Sequence, residues 1–141
     1  MFFGTYEHTI DDKGRLVIPR KMREEAGVRL FIMKGFDGAL SLFKENEFER
    51  LVREFNSLPF SKKDNRAYLR AQLASACELE IDKMGRVQIP TALLNKYQIG
   101  KEVVVIGTGD HMEVWDKATY ETYEKEVNEN FENLAENIGK E

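Results

Sequence analysis

The sequence predicts an α+β fold with a mainly β core, built from two tandem repeats with peripheral helices. The nine-residue pattern D-x-x-x-R-x-x-I-P occurs twice, at residues 11–19 and 82–90, with a glycine directly before each arginine. Around both copies, apolar residues first alternate with polar ones, as in half-buried strands, and later recur at helical spacing. Two copies are fewer than a solenoid needs. We therefore expect the halves to close on each other as a pseudo-symmetric pair.

Each motif is predicted to form a strand, a tight turn, a second strand and a short helix. The alternating apolar residues before the two copies are Tyr6, His8 and Ile10, and Cys77, Leu79 and Ile81. A short apolar stretch follows each Gly-Arg pair and ends at a proline. Because proline fits the first turn of a helix, residues 19–26 and 90–97 are predicted to be helical.

A hairpin and an amphipathic helix are predicted to complete each half. The hairpins join residues 30–33 to 39–43 and residues 103–106 to 112–115 through glycine-containing turns. Apolar residues at helical spacing then predict a helix in the first half and a long C-terminal helix in the second. They are Phe48, Leu51, Val52 and Phe55, and then Tyr120, Tyr123, Val127, Phe131, Leu134 and Ile138.

A helix specific to the join is predicted from about residue 61 to residue 76. Ser61-Lys62-Lys63-Asp64 has the form of a capping box. The apolar side chains Leu69, Leu73 and Ala76 can face the core, while the basic ones face outward: Lys62, Lys63, Arg66 and Arg70. The predicted organisation is a first repeat over 1–56, a linker over 57–76 and a second repeat over 77–141, forming one compact unit.

Composition points to an ordinary globular domain without a membrane span, with 42% hydrophobic and 33% charged residues. No apolar run approaches the roughly 20 residues that cross a bilayer, and the N-terminus lacks a signal-peptide pattern, so a cytoplasmic location is expected. The net charge is −4, but residues 116–141 alone carry eight acidic and three basic side chains. Basic residues crowd around the first motif, so a polyanionic partner is not excluded. They are Lys13, Arg15, Arg20, Lys21 and Arg23.

The arginine is the part of the motif that turn geometry does not explain. Aspartate at a turn entry accepts nearby backbone N–H groups, and glycine supplies a positive φ. Lysine or glutamine would serve solubility as well as arginine, yet both copies have arginine. One interpretation is a local Asp–Arg ion pair that holds the turn. The other is a guanidinium that binds phosphate or a guanine edge with two parallel hydrogen bonds.

No catalytic, metal or cofactor site is expected. His8 and Cys77 fall on inward strand positions, and His111 lies at a hairpin turn without a nucleophile that recurs in both halves. The histidines and the single cysteine do not have metal-ligand spacing. Residues 107–109 lack the third glycine of a dinucleotide loop.

The duplicated motif, the opening Met-Phe-Phe-Gly-Thr-Tyr-Glu-His and the stretch 104–115 resemble the bacterial MraZ proteins, which contain two tandem SpoVT/AbrB-type domains. The resemblance implies a swapped-hairpin, AbrB-like double-psi-type barrel with exposed D-x-x-x-R turns. It also implies a sequence-specific transcriptional regulator of the division and cell-wall gene cluster. Such proteins bind short direct repeats in double-stranded DNA upstream of their own operon, as ring-shaped homo-oligomers associated with the nucleoid.

Carried over by position, the DNA-binding residues are Asp11, Lys13, Gly14, Arg15, Asp82, Lys83, Gly85 and Arg86. The lysine moves by one position between the copies, so the two turns need not contact DNA equivalently. An antitoxin-like interaction module is the alternative, although such chains usually have one repeat and a disordered tail. The apolar stripe of the C-terminal helix has two interpretations, packing on its own domain or contact with a neighbouring subunit.

Overall fold

The computed structural model describes residues 1–140. Their elements follow one another as β1 (Phe2–Thr9), β2 (Arg15–Val17), α1 (Arg20–Ala26), β3 (Arg29–Lys34), β4 (Leu40–Lys44), α2 (Glu45–Asn56), α3 (Lys63–Ala74), β5 (Cys77–Glu80), β6 (Arg86–Gln88), α4 (Thr91–Lys96), β7 (Glu102–Gly109), β8 (Met112–Asp116), α5 (Lys117–Glu129) and α6 (Phe131–Glu136). The order from β1 to α2 recurs from β5 to α5, in agreement with the duplicated motif. The exact division at residues 56 and 76 stays a prediction.

The two halves exchange their opening strands. β1 pairs antiparallel with β7, and β5 pairs antiparallel with β3, so each opening strand lies against the hairpin of the other half. The hairpins meet where β4 pairs with β8. The resulting order, β1-β7-β8-β4-β3-β5, reads the same when corresponding strands are exchanged and the order is reversed. The six-stranded sheet therefore has pseudo-two-fold symmetry about the β4–β8 pair.

One hydrophobic core joins both halves. The short strands β2 and β6 pair with each other and place Leu16 and Val87 in this core, followed by Ile18 and Ile89, all at most 1% exposed. They are buried together with the inward residues of the six-stranded sheet, which include Leu30, Ile32, Leu40, Leu42, Val103, Val105, Met112 and Val114. Burial of such a side chain contributes roughly 1.5–3 kcal/mol. The isoleucine of each motif is thus a core residue.

These observations confirm an α+β fold with a mainly antiparallel β core. The strand pairs within residues 1–140 form one six-stranded sheet, with β1 and β5 at its edges, and one two-stranded ribbon. Hydrogen bonds between these strands do not close a barrel, since β2 and β6 pair only with each other. The swapped-hairpin double-psi-type barrel is therefore not confirmed and stays a prediction.

The linker helix forms, but the predicted capping box at its start is wrong. α3 begins at Lys63, and the residue before it makes no side-chain capping hydrogen bond. Instead, Asn65 and Arg66 of the first turn donate side-chain hydrogen bonds back to the carbonyls of Pro59 and Ser61, at 2.9 Å and 2.8 Å. Longer side chains thus satisfy the carbonyls of the preceding loop.

The predicted long C-terminal helix is divided into α5 and α6 at Asn130. The backbone of Asn130 leaves the helical region, at φ −109° and ψ 12°. Its side-chain Nδ2 donates to the carbonyl of Glu126 at 3.0 Å. Asparagine interrupts helices in this way because its amide competes for backbone partners. α5 packs on β7 and β8, whereas α6 has no buried residue.

Candidate nucleic-acid interface

The first D-x-x-x-R segment is a tight turn whose hydrogen bonds converge on Asp11. Oδ1 of Asp11 accepts the backbone N–H groups of Lys13 and Arg15, each at 2.9 Å. Oδ2 accepts Nε of the Arg15 side chain at 2.6 Å. The N–H of Gly14 closes the turn by donating to the Asp11 carbonyl at 3.0 Å. Both carboxylate oxygens are therefore engaged inside the turn.

The second segment repeats this geometry on Asp82. Oδ1 of Asp82 accepts the N–H groups of Met84 and Arg86 at 2.9 Å, and Oδ2 accepts Nε of Arg86 at 2.9 Å. The N–H of Gly85 donates to the Asp82 carbonyl at 2.9 Å. The backbone N–H of the motif arginine is the main cause that lowers the pKa of each aspartate, Asp11 by Arg15 and Asp82 by Arg86. Each carboxylate is thus held as an anion beside a guanidinium.

The structure shows the Asp–Arg ion pair in both turns, and this pair does not exclude that the guanidinium also binds a ligand. Among the contacts of residues 1–140, Arg15 and Arg86 use only Nε, which leaves Nη1 and Nη2 of each guanidinium available. The two side chains are 33% and 26% exposed. The aspartate fixes the guanidinium through Nε, and the terminal nitrogens make no hydrogen bond within residues 1–140. Two parallel hydrogen bonds to a phosphate or a guanine remain possible for this group.

The two turns are coupled across the pseudo-two-fold axis. In the β2–β6 ribbon, Arg15 lies opposite Gln88 and Val17 lies opposite Arg86. The two arginines are therefore at opposite ends of the ribbon, separated by about 7 Å along the strands at the usual rise per residue. Gln88 also donates from Nε2 to the Lys13 carbonyl at 3.0 Å. Each turn is thus supported by the other half of the chain.

Gly14 and Gly85 are required by the backbone of the turns. Their φ values are +79° and +78°, in the left-handed region that side chains rarely adopt. A Cβ atom on Gly14 would overlap the carbonyl oxygen of Ile89, whereas one on Gly85 would meet the side chain of Arg23. The same conformation therefore has different neighbours in the two halves.

The lysines of the two turns are exposed but lie at different turn positions. Lys13 directly precedes Gly14, and Met84 has the corresponding place before Gly85, with 66% exposure. Lys83 corresponds instead to Asp12, which pairs with Lys101 at 3.0 Å. The structure therefore brings all eight predicted residues to two adjacent turns, but with unequal side chains around each arginine. Their contact with DNA stays a prediction.

The sequence groups Arg23 with the basic residues around the first motif. It follows the first motif in the chain, yet its Nε donates to the Ile18 carbonyl at 3.0 Å and its guanidinium lies over Gly85 of the second turn. The sequence contains no signal for this placement, because it depends on how α1 packs against the other half. At the first turn, the corresponding residue of α4 is Leu94.

Some basic residues of the linker are engaged locally. Arg66 binds loop carbonyls, as described above, and the guanidinium carbon of Arg70 lies 5.6 Å from the ring centre of Phe60. Lys62 and Lys63 are exposed. The linker therefore offers two exposed lysines, while its arginines stabilise the connection into α3.

The two histidines are partly buried and contact neighbouring residues of the fold. His8 is half-buried rather than fully packed. Nδ1 of His111 lies 2.7 Å from Asp110, and its ring stacks on Phe43 at 4.8 Å between ring centres.

In the part of the chain that the structure describes, no group of three or more histidine, cysteine or acidic side chains is placed to hold a metal ion. None of the helices described is long and apolar enough to traverse a bilayer.

Comparison with known proteins identifies similar chains over almost the full length. The family model described as "MraZ protein, putative antitoxin-like" matches residues 1–71 and 73–140. The "Transcriptional regulator MraZ" of Caldanaerobacter subterraneus subsp. tengcongensis is 42% identical over 138 residues, which cover 98% of this chain and 96% of that protein. Proteins with the same description from Moorella thermoacetica and Ligilactobacillus salivarius are each 41% identical over the same shares of both chains.

Proposed function

The chain belongs to the MraZ family, and we propose on this basis that it is a DNA-binding transcriptional regulator without enzymatic activity. The observation that carries the proposal is the pair of matching turns, in each of which an aspartate holds an arginine by Nε and leaves its terminal nitrogens available. The names of the relatives support a role in transcription. The geometry supports DNA as the ligand, because such a guanidinium matches phosphate and guanine.

In the proposed mechanism, the arginines of the two turns supply specificity and the lysines supply affinity. Arg15 and Arg86 contact base edges through Nη1 and Nη2, at positions set by Asp11 and Asp82. The exposed lysines, Lys13 and Lys83, contact backbone phosphates and supply affinity that falls with salt. Because the aspartate oxygens already accept hydrogen bonds, the turns present mainly donors to the DNA.

The finer proposal concerns the DNA and the assembly. We propose that the protein binds short direct repeats upstream of its own operon, the division and cell-wall gene cluster, as a ring-shaped homo-oligomer at the nucleoid. A ring repeats the pair of turns, so several weak contacts on one body gain effective concentration on evenly spaced repeats. The strand exchange between the halves supports the related proposal that the core is a swapped-hairpin, AbrB-like double-psi-type barrel. The acidic segment 116–140 would face away from the DNA.

The exposed face of α6 supports the oligomer. Tyr120 and Tyr123 pack on Trp115, with ring centres 5.3 Å and 4.9 Å away, so the first part of the C-terminal stripe covers its own domain. Phe131 and Leu134 are 64% and 49% exposed. A neighbouring subunit would remove this apolar surface from water.

Binding measured against salt tests the proposal. The native protein is titrated with the DNA immediately upstream of its gene and with scrambled DNA of equal length, from 50 to 500 mM salt. We expect tighter binding to the upstream DNA, and a logarithmic affinity that falls linearly with the logarithm of salt for both. An exposed lysine of the acidic helix α5, Lys125, supplies the control variant Lys125→Gln, which should bind like the native protein. Equal affinity for both DNAs would reject sequence-specific regulation.

An antitoxin-like module remains the second candidate, since the family description includes that term. The exposed stripe on α6 would then bind a different protein. The mass of the purified protein in light scattering separates the two proposals, because a ring is assembled without a second protein, whereas an antitoxin-like module would leave the stripe free.

A further inference from the structure

The two D-x-x-x-R turns have different side chains over their glycines. A Cβ atom placed on Gly85 would lie 2.5 Å from Nε and 2.6 Å from Cζ of Arg23, so this guanidinium lies directly over the second turn. At the first turn, the corresponding Cβ position on Gly14 is 3.8 Å from a methyl carbon of Leu94. A charged, donor-rich group thus covers one turn and an apolar group covers the other.

The position of Arg23 is fixed and its charge is not neutralised. Nε donates to the Ile18 carbonyl at 3.0 Å, which orients the guanidinium plane as the aspartates orient Arg15 and Arg86. Within residues 1–140, no carboxylate forms an ion pair with Arg23. Burial, and after it the charge of Arg23, lowers the pKa of His8, which favours the neutral form of this neighbour.

Two guanidinium groups therefore adjoin the second turn, Arg23 over Gly85 and Arg86 next in the chain. Only Arg86 has a carboxylate partner among the described contacts, so Arg23 adds one unit of positive charge to the turn beyond that of the Asp82–Arg86 pair and Lys83. A guanidinium without a carboxylate partner attracts an anion to the turn. A phosphate of the DNA backbone has the charge and acceptor geometry to bind there.

We propose that Arg23 is a further DNA-contacting residue, which binds a backbone phosphate beside the second turn, and that the first turn lacks this contact because Leu94 has its place. The inference rests on the proposed function and deepens it. It makes the second turn the stronger phosphate site. The first turn then depends more on Lys13, which the second turn replaces by Met84.

The experiment compares salt dependence among single-charge variants. Arg23→Gln removes the charge and retains an amide that can donate to Ile18, Arg23→Lys retains the charge, and Lys125→Gln removes an equal charge from α5. Binding to upstream and scrambled DNA is measured across salt concentration, and folding is checked by thermal unfolding. Loss of one phosphate contact should reduce the slope of logarithmic affinity against logarithmic salt by about 0.9.

We expect this reduction in slope for Arg23→Gln on both DNAs. If Arg23→Gln and the native protein bind equally at 1 M salt, the variant should bind about eight-fold more weakly at 0.1 M. Arg23→Lys should have a nearly native slope. A purely positioning role would weaken binding without a change in slope, and would overturn the inference. So would a native slope and affinity for Arg23→Gln. If the native protein bound neither DNA, the proposed function would fail and this inference with it.

Discussion

The backbone N–H of Ile18 donates a 2.9 Å hydrogen bond to the carbonyl oxygen of Gly85, which belongs to the other half of the chain. Ile89 makes the corresponding bond to Gly14 at 2.8 Å. Each isoleucine is fully buried, so these bonds join the core of one half to the turn of the other. A change at either glycine should therefore affect both the stability of the fold and the position of an arginine.

Substitution of the two turn glycines by alanine should have unequal effects. Both variants force alanine into a positive φ, at a cost of roughly 1–2 kcal/mol. Gly14→Ala also drives a methyl group into the carbonyl of Ile89, whereas Gly85→Ala meets the movable side chain of Arg23. We expect a loss of about 1–2 kcal/mol in the free energy of unfolding for Gly85→Ala and a larger loss for Gly14→Ala. Urea denaturation measures both, and equal losses would contradict the assigned contacts.

Substitution of Arg15 should change specificity, and substitution of Lys13 should change affinity. Arg15→Ala removes a guanidinium aimed by Asp11, so discrimination between upstream and scrambled DNA should fall by roughly 1–3 kcal/mol. Lys13→Ala should weaken binding to both DNAs alike, since phosphates are present in every sequence. Fluorescence anisotropy at fixed salt gives both affinities. If Arg15→Ala lost equal affinity for both DNAs, a base-reading role would be excluded.

A charge on α6 should disrupt the oligomer. Phe131→Glu places a carboxylate in the exposed stripe and should lower the mass found by light scattering. Phe36→Glu is the matched control, because Phe36 is also 64% exposed but lies in the β3–β4 turn outside the stripe. The control should retain the native mass. An unchanged mass for Phe131→Glu would show that α6 is not an assembly surface.

The two histidines should change the stability of the fold in opposite directions as the pH rises. Burial lowers the pKa of His111, but the carboxylates of Glu113 and Asp110, which lie 3.6 Å and 2.7 Å from its ring nitrogens, together outweigh burial and raise the pKa above 6.5. A raised pKa stabilises the fold fully below 6.5, and this contribution is lost as the pH rises through the folded value. The stability of the native protein relative to His111→Gln should therefore decrease from pH 6 to pH 8.5.

His8 supplies the control for this measurement. Its pKa is lowered by burial and by Arg23, so the native protein should gain stability relative to His8→Gln as the pH rises through 6.5. Urea denaturation at several pH values measures both comparisons. A contribution from His111 that did not decrease with pH would contradict the stabilisation of its charged ring by Asp110 and Glu113.

Local patterns predicted the parts of the fold that depend on local chemistry. Alternation and turn residues predicted the strands and hairpins, and the spacing of Asp11 and Arg15 predicted a turn held by an aspartate. The position of Arg23 could not be predicted, because it depends on packing between residues far apart in the chain. The break at Asn130 was missed because apolar spacing continues through it, while the competing amide is a single side chain.

The pairing of β1 with β7 places Phe2 opposite Gly109. During synthesis, the first strand of the sheet therefore has no partner until most of the chain has left the ribosome. Contacts between residues so distant in sequence form slowly, because a long loop must close first. The nascent N-terminal half exposes an unpaired strand and the apolar surface of Phe2 throughout this interval, so the sheet can be completed only after β7 of the second half has been synthesised.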